Sequence, residues 1–234
     1  MDFRHSSEIH AIFPELAAAA IRARGPFGDI GGHPEVIGLV EGTRKRLATA
    51  NESDFVEVAA WRRAFARMGL KPTQYRSASE SLLRRLRQDG ALPAIHPLID
   101  LANVVSVGFA VPIAVFDLAR VEGGLEVRPA RGDERYLTFS DTIETPEVGE
   151  VIFADAAGRA HARRWCNRQS GLSAIRPATR EVLIVAEAMH DGGADRVERL
   201  AETLTALLAA QGATVLATGR PCRATPIFSF AAPA

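Results

Sequence analysis

Cysteine is nearly absent from this chain: Cys166 and Cys222 are the only two in 234 residues. Two thiols make no disulfide framework, and no Cys-x-x-Cys or Cys/His cluster has the spacing of a zinc site. Histidine is scattered, at His5, His10, His33, His96, His161 and His190, and without ligand spacing these read as surface or core residues. No metal and no organic cofactor is called for. Long apolar runs are missing too, none nearing the roughly 18 residues that cross a bilayer, so no membrane partner is expected. The opening Met1-Asp2-Phe3-Arg4-His5 lacks the basic-then-apolar layout of a signal peptide, and a cytoplasmic location is the expectation. Gly28-x-x-Gly31-Gly32 has no Lys-Ser/Thr after it, which excludes a phosphate loop, and there is no Gly-x-Ser-x-Gly elbow.

Net charge is also lacking. Lys plus Arg equals Asp plus Glu at 28 each, so bulk charge neither demands nor excludes nucleic acid. Placement says more. Arg62, Arg63, Arg67, Lys71, Arg76, Arg84, Arg85 and Arg87 follow one another opposed only by Glu80. Asp133, Glu134, Asp141, Glu144, Glu147, Glu150 and Asp155 are opposed only by Arg135. A basic face and an acidic face are the expectation.

What is present is a chain 47% hydrophobic and 24% charged, the balance of an ordinary globular protein. Alanine content argues a helix over 16–24, and a buried strand ending at Gly25 competes with it, because so short an apolar run has no decisive period. Helices are predicted over 34–50, with Val36, Ile37, Val40 and Leu47 on the apolar face, then from an Asp54 cap through Val58, Trp61, Phe65 and Met68 to Gly69. Two more follow over 77–88 and 97–109. The period then changes: short strands are predicted at 113–117, 125–128, 135–139, 151–155 and 160–165, a buried-type strand at 183–189, a helix at 195–210 and a last strand at 213–217. Helices dominate the first half and strands the second, which is α+β around a shared core. Residues 1–218 are expected to form one module, and 219–234, with Pro221, Pro226 and Pro233, a tail without clear structure. Nothing in the pattern sets the oligomeric state.

Several residues could carry chemistry. Arg163-Arg164-Trp165-Cys166-Asn167-Arg168-Gln169-Ser170 gathers guanidinium groups, amides, a hydroxyl and an indole at a strand end. Guanidinium forks suit carboxylate or phosphate and an indole stacks on a base; a polar hairpin tip is the alternative. Asp100, Asn103 and Ser106 share one helix face, and Asp117 ends the next strand; capping and turn chemistry is the alternative there.

In order and spacing these segments resemble one family. They are Trp61-x-x-x-Phe65-x-x-Met68-Gly69-x-Lys71-Pro72-x-x-Tyr75-Arg76, Leu82-Leu83-x-Arg85, Leu92-Pro93-x-Ile95-x-Pro97-Leu98-Ile99-Asp100-Leu101-x-Asn103, Pro112-x-x-x-Phe116-Asp117, Pro146-Glu147-x-Gly149-Glu150-Val151, and Arg164-Trp165-x-Asn167-Arg168-Gln169-Ser170. The chain is similar, over roughly 10–215, to freestanding relatives of the editing domain (the B-three/B-four module) of the phenylalanyl-tRNA synthetase beta subunit. The resemblance implies an α+β, sandwich-like arrangement of mixed sheets with flanking helices, and it makes 16–23 a strand. It implies a trans-acting hydrolysis of the ester of mischarged aminoacyl-tRNA by a positioned water, or alternatively a non-catalytic module that binds tRNA, an amino acid or a nucleotide in the same pocket. The aminoacyl end of tRNA is the implied partner, with a small amino-acid-like ligand as another.

On that basis Asn103, Asn167 and Gln169 are the candidate catalytic dipoles. Asp100, Ser106, Asp117, Arg164, Trp165, Arg168 and Ser170 are candidate substrate contacts, and Arg76, Arg84 and Arg85 candidate tRNA contacts. The family's Thr, His and pocket Glu are replaced by Ala102, Ala114 and Val185, with Glu187 two residues on, and its small-residue wall by Arg163 through Asn167. Tyrosine specificity is therefore not expected to transfer.

Overall fold

The computed structural model, which describes residues 1–231, begins with β1 (Asp2–His5), α1 (Ser7–Ile12), β2 (Ala17–Arg24) and α2 (Pro34–Thr49). There follow α3 (Val56–Arg67), α4 (Ala78–Asp89), α5 (Pro97–Phe109), β3 (Ile113–Asp117), β4 (Gly124–Pro129), β5 (Tyr136–Leu137) and β6 (Ile143–Glu144). The chain continues with β7 (Val151–Ala154), β8 (Ala160–Arg163), β9 (Arg168–Gln169), β10 (Glu181–Ala188), α6 (Gly193–Ala210), β11 (Thr214–Gly219) and β12 (Ile227–Ser229). The class is α+β, as expected.

Alternation along β10 decides the layering. Leu183 and Val185 enter one apolar cluster, while Val182, Ile184, Ala186 and Ala188 enter another. Successive strand side chains point to opposite faces, so β10 is covered on both. It sits inside a four-stranded antiparallel sheet ordered β11-β2-β10-β3. One face of that sheet carries α5 and α6 through Leu98, Leu101, Val105, Val197, Leu200, Leu204 and Leu207, with Val36 of α2 in the same cluster. The other face meets a six-stranded mixed sheet, β12-β1-β4-β7-β8-β9, through Phe3, Val127, Phe153 and Ala162.

The alanine run folds as β2, pairing with β10 from Ala17↔Ala188 to Arg24↔Glu181. Alanine's helix preference is a weak prior. Here the sheet on one side and α6 on the other cover the strand, and ladder pairing with burial decides. The strand reading holds and the helix reading does not.

Other expectations shift locally. α3 is entered from Phe55, not capped by Asp54, whose carboxylate instead accepts the Asn51 N–H in the preceding short turn of helix. Ile37 is exposed while Val36 is buried, because the contact with α5 takes the Val36 side. On α4, Leu83 and Leu86 are buried and Leu82 only partly so. Beyond Gly219 the expected unstructured tail carries β12, antiparallel to β1, and Phe228 and Phe230 alternate into the inter-sheet core. The prolines obscured that short alternating stretch; Pro233 lies outside the described residues.

The expected charge faces are paired locally. Glu52 and Glu80 reach Arg87 and Arg62 at 2.7 and 2.6 Å. In the acidic stretch, Glu150 and Asp155 hold Arg163 and Arg159 at 2.8 and 2.6 Å. No helix among the described residues is long and apolar enough to cross a membrane.

Candidate functional site

The polar stretch after β8 forms a tight turn. Arg164 and Trp165 have φ of 47° and 59°, two successive left-handed residues of the kind that reverse a hairpin. The turn drives the Trp165 indole into the core, fully buried, edge-on to Phe13 at 5.1 Å and to Trp61 at 5.2 Å. Arg164 is left outside over the Tyr75 ring at 4.7 Å, in the wall of a cleft of about 230 Å³ with Glu147 and Glu150.

The candidate amides are engaged with backbone carbonyls. Asn167 Nδ2 donates to Arg76 O at 2.8 Å, which ties the hairpin to the start of α4, and Gln169 Nε2 donates to Val115 O at 2.6 Å, which ties it to β3. Ser170 Oγ donates to Leu137 O and Ser106 Oγ to Val111 O, each at 2.7 Å. Arg168 pairs with Glu144 at 3.0 Å and lies over Tyr136. Asp117 accepts from Thr179 Oγ1 at 2.7 Å and from Ala119 N–H at 3.0 Å. Asp100 accepts from Ile95 N–H at 2.8 Å ahead of α5 and lines a crevice of about 60 Å³ with Asp29 and Val104. Asn103 is half-buried on α5. Arg164, Trp165, Asn167 and Gln169 thus share the hairpin, whereas Asp100 and Arg164 open onto separate clefts.

Arg76, Arg84 and Arg85 lie on α4 or just before it, partly exposed, 3.4 Å from Glu80, 3.7 Å from Glu52 and 3.5 Å from Asp89. Only the Arg85–Asp89 pair is exposed on both sides and worth about 0–1 kcal/mol. Arg76 and Arg84 are the longer-range partners of the buried Glu80 and Glu52, which Arg62 and Arg87 already hold at 2.6 and 2.7 Å, and so can turn to another anion without leaving those carboxylates unpaired.

Glu187, two residues from the family's pocket position, gathers Trp165 with His5 and His10, which the motif reading passed over, where the two sheets meet. Glu187 lies on β10, and its Oε1 accepts Trp165 Nε1–H at 2.9 Å and stands 2.6 Å from His5 Nε2 on β1. Its backbone carbonyl accepts Trp61 Nε1–H at 3.2 Å. The His10 ring is 5.6 Å from that of His5. Both histidines line a cleft of about 440 Å³ together with Arg4, Glu126, Arg223 and Ile227. Burial, together with the neighbouring His5 and Arg223, lowers the His10 pKa from its ordinary value. The resemblance was the sequence signal for Glu187 and Trp165; a charge inside the otherwise apolar run 182–189 is a second one that was available.

Two other arrangements hold side chains of reactive type. Ser173 Oγ, His161 and Asp155 are linked at 2.8 and 3.2 Å in the order of a hydrolase triad. All three residues are buried, Asp155 is shared with Arg159, and the chain serves as a satisfied core network. Cys166 is desolvated, and this, with the nearby Glu187 charge, pushes its thiol well above the ordinary value, which removes the nucleophilic thiolate.

Comparison with known proteins gives a consistent relationship. The family model described as "B3/4 domain" matches residues 60–214. A phenylalanine–tRNA ligase beta subunit from Nocardia farcinica is 39% identical over 77 residues, 33% of this chain and 9% of that subunit. The corresponding subunit from Shewanella oneidensis is 34% identical over 102 residues, 43% of this chain and 12% of that subunit. The chain therefore matches only about a tenth of the length of these relatives. A crystal structure of an N-terminal fragment of the phenylalanyl-tRNA synthetase beta subunit from Pyrococcus horikoshii covers 91% of this chain and 49% of its own, at 9% identity and a TM-score of 0.49.

Proposed function

The chain belongs to the B3/4 domain family, and from that premise we propose that it acts in trans on the aminoacyl end of tRNA, releasing a mischarged amino acid by attack of a positioned water on its ester. The observation that carries this reading is the family match itself, which runs from within α3 to the start of β11 and so includes β10, with Glu187, and the turn that carries Trp165. An aminoacyl ester is activated, and its hydrolysis needs mainly a positioned water and dipoles directed at the developing oxyanion.

The geometry refines the roles. With their amide groups held by backbone carbonyls, Asn167 and Gln169 fix the wall beside Trp165 and act on substrate through that wall. Arg164, at the rim, is the guanidinium available to a phosphate or a carbonyl oxygen. Arg76, Arg84 and Arg85 form the face on which acceptor-stem phosphates would exchange for Glu80, Glu52 and Asp89. By the resemblance Arg164 and Trp165 stand where the family has a small-residue wall, and the indole is fully buried, so tyrosine is not the expected amino acid.

Incubation of the pure protein with a panel of mischarged tRNAs tests this. The expected result is accelerated release from at least one pair, and rates equal to buffer for every pair contradict it. A second reading, recognition of tRNA without turnover, draws on the same closed wall at Trp165. Saturable binding that leaves every ester intact selects it.

A further inference from the structure

The Arg164 side chain is only 19% exposed, and its Nε stands 3.9 Å from Glu150, beyond hydrogen-bond reach. Arg163 already satisfies Glu150 through two hydrogen bonds of 2.8 Å. Burial pushes the Glu150 carboxyl up, but those bonds and the charges of Arg163 and Arg164 outweigh it and hold the group below the ordinary carboxylate value. That carboxylate is therefore ionised and taken. Arg164 keeps five N–H donors, for which no oxygen among the described residues is an acceptor; its one close partner is the Tyr75 ring, 4.7 Å from Cζ. A charge withdrawn this far from water is costly unless it is hydrogen-bonded.

The turn holds this group in place. Arg164 N–H donates to Glu150 Oε1 at 3.2 Å and Trp165 N–H to Val151 O at 2.7 Å, and the buried indole anchors a left-handed pair that residues with side chains adopt at a cost. The guanidinium is thereby left in the wall of the cleft of about 230 Å³. That is smaller than the roughly 300–1,000 Å³ pockets of drug-sized ligands, so its ligand has few atoms. The loop between α3 and α4 supplies Met68, Leu70 and Tyr75, and the turn before β7 supplies Glu147 and Val148. Val148 is 78% exposed at the lip. Glu147 is exposed and has no ion pair among the described residues. One cation and one anion thus share the cleft without pairing with each other, beside apolar walls.

We infer that this cleft binds a free α-amino acid with an aliphatic side chain. The Arg164 fork takes the α-carboxylate, the group whose geometry a planar guanidinium matches. Glu147 takes the α-ammonium, and Met68, Leu70, Val148 and Val151 cover the side chain. A zwitterion meets both unpaired charges at once. A phosphate meets only one of them and is repelled by Glu147 and Glu150 in the same walls. The inference extends the role given above to Arg164 and does not need turnover. An amino acid released from an ester and one taken from solution are the same zwitterion, whereas the ester itself lacks the carboxylate. The cleft lies outside the turn, and the indole fills the space inside it.

Isothermal titration calorimetry of the whole chain with L-alanine, L-valine, L-leucine and L-methionine tests this. Saturable binding of at least one is expected, and binding of none overturns the inference. Arg164→Ala and Glu147→Gln should each weaken that binding about 10- to 150-fold, the range for a hydrogen bond to a charged group. Glu147 is exposed, so its variant decides if Arg164→Ala does not fold. Full affinity in a folded variant overturns the inference. N-acetylation of the bound amino acid removes its ammonium and methyl esterification its carboxylate, and each should weaken binding to a similar degree. A methyl ester bound as tightly as the free acid assigns Arg164 to an ester carbonyl, which overturns the inference and leaves the tRNA reading in place. Displacement of the amino acid by an equal concentration of inorganic phosphate overturns it too, in favour of a phosphate site. Binding of a free amino acid by a protein that releases none from any mischarged tRNA supports the inference and refutes the ester-hydrolysis reading.

Discussion

Trp165 offers a quantitative test of how the hairpin and the core depend on one another. Its indole is fully buried against Phe13 and Trp61, and it donates to Glu187. Truncation to alanine removes one of the largest buried side chains, and aromatic-to-alanine changes in cores cost about 3–5 kcal/mol. Withdrawing the indole N–H from a buried carboxylate adds about 1–3 kcal/mol to this, so about 4–8 kcal/mol is expected in total. That is a large part of the roughly 5–15 kcal/mol by which a domain is stable. The backbone makes the prediction sharper. At φ 59° alanine retains a left-handed cost of about 1–2 kcal/mol that glycine escapes. Glycine's greater freedom in the unfolded chain takes back about 0.4–1 kcal/mol. Trp165→Gly should therefore match or exceed Trp165→Ala in stability, by up to about 1.6 kcal/mol, the reverse of the usual order. Urea unfolding of both variants measures this. If alanine is the more stable by 0.5 kcal/mol or more (roughly the lower end of the ordinary glycine cost), the left-handed turn is not the constraint described here.

Arg164→Ala and Asn103→Ala should lower turnover or tRNA binding while shifting stability by less than about 1 kcal/mol; unfolding midpoints measured beside activity check this, and large destabilisation by both would make them structural. Arg85→Ala, at an exposed position on α4, should weaken tRNA binding and reduce the slope of log affinity against log salt by about 1; an unchanged slope removes α4 from the tRNA face. Burial pushes the Asp155 carboxyl up, but hydrogen bonds from His161 and Arg159 outweigh it and hold the group well below its ordinary value of 3.8. Its contribution to stability is thus complete above that value and is lost as pH falls below it. Asp155→Asn should flatten the acid limb of the stability–pH profile, and an unchanged limb refutes the assignment.

Much of the frame was legible in local pattern. Pro97 and Phe109 bound α5 as expected, because a proline suits the first turn of a helix and the apolar spacing that follows has one period. Most short strands from 113 onward were found by their turns, though the two-residue β6 (Ile143–Glu144) and β9 (Arg168–Gln169) were not. Other elements were not legible. β12 is three residues long and lies between prolines and the chain's last residues, and β1 is four residues long. So short a strand has too little pattern to be read, and both exist through pairing with distant partners.

The candidate site divides in the same way. Order and spacing of motifs identified the family and gathered Arg164, Trp165, Asn167 and Gln169, which are neighbours in sequence and share one hairpin. The resemblance also pointed to Glu187, two residues beyond the position of the family's pocket glutamate. Only the tertiary structure gave that charge its partners: His5 lies 182 residues away and Trp165 lies 22 away. Periodicity reports which side of an element is covered. It carries no information on which side chain of another strand stands opposite, because that is set by sheet order and register, and here by β1 lying between β4 and β12.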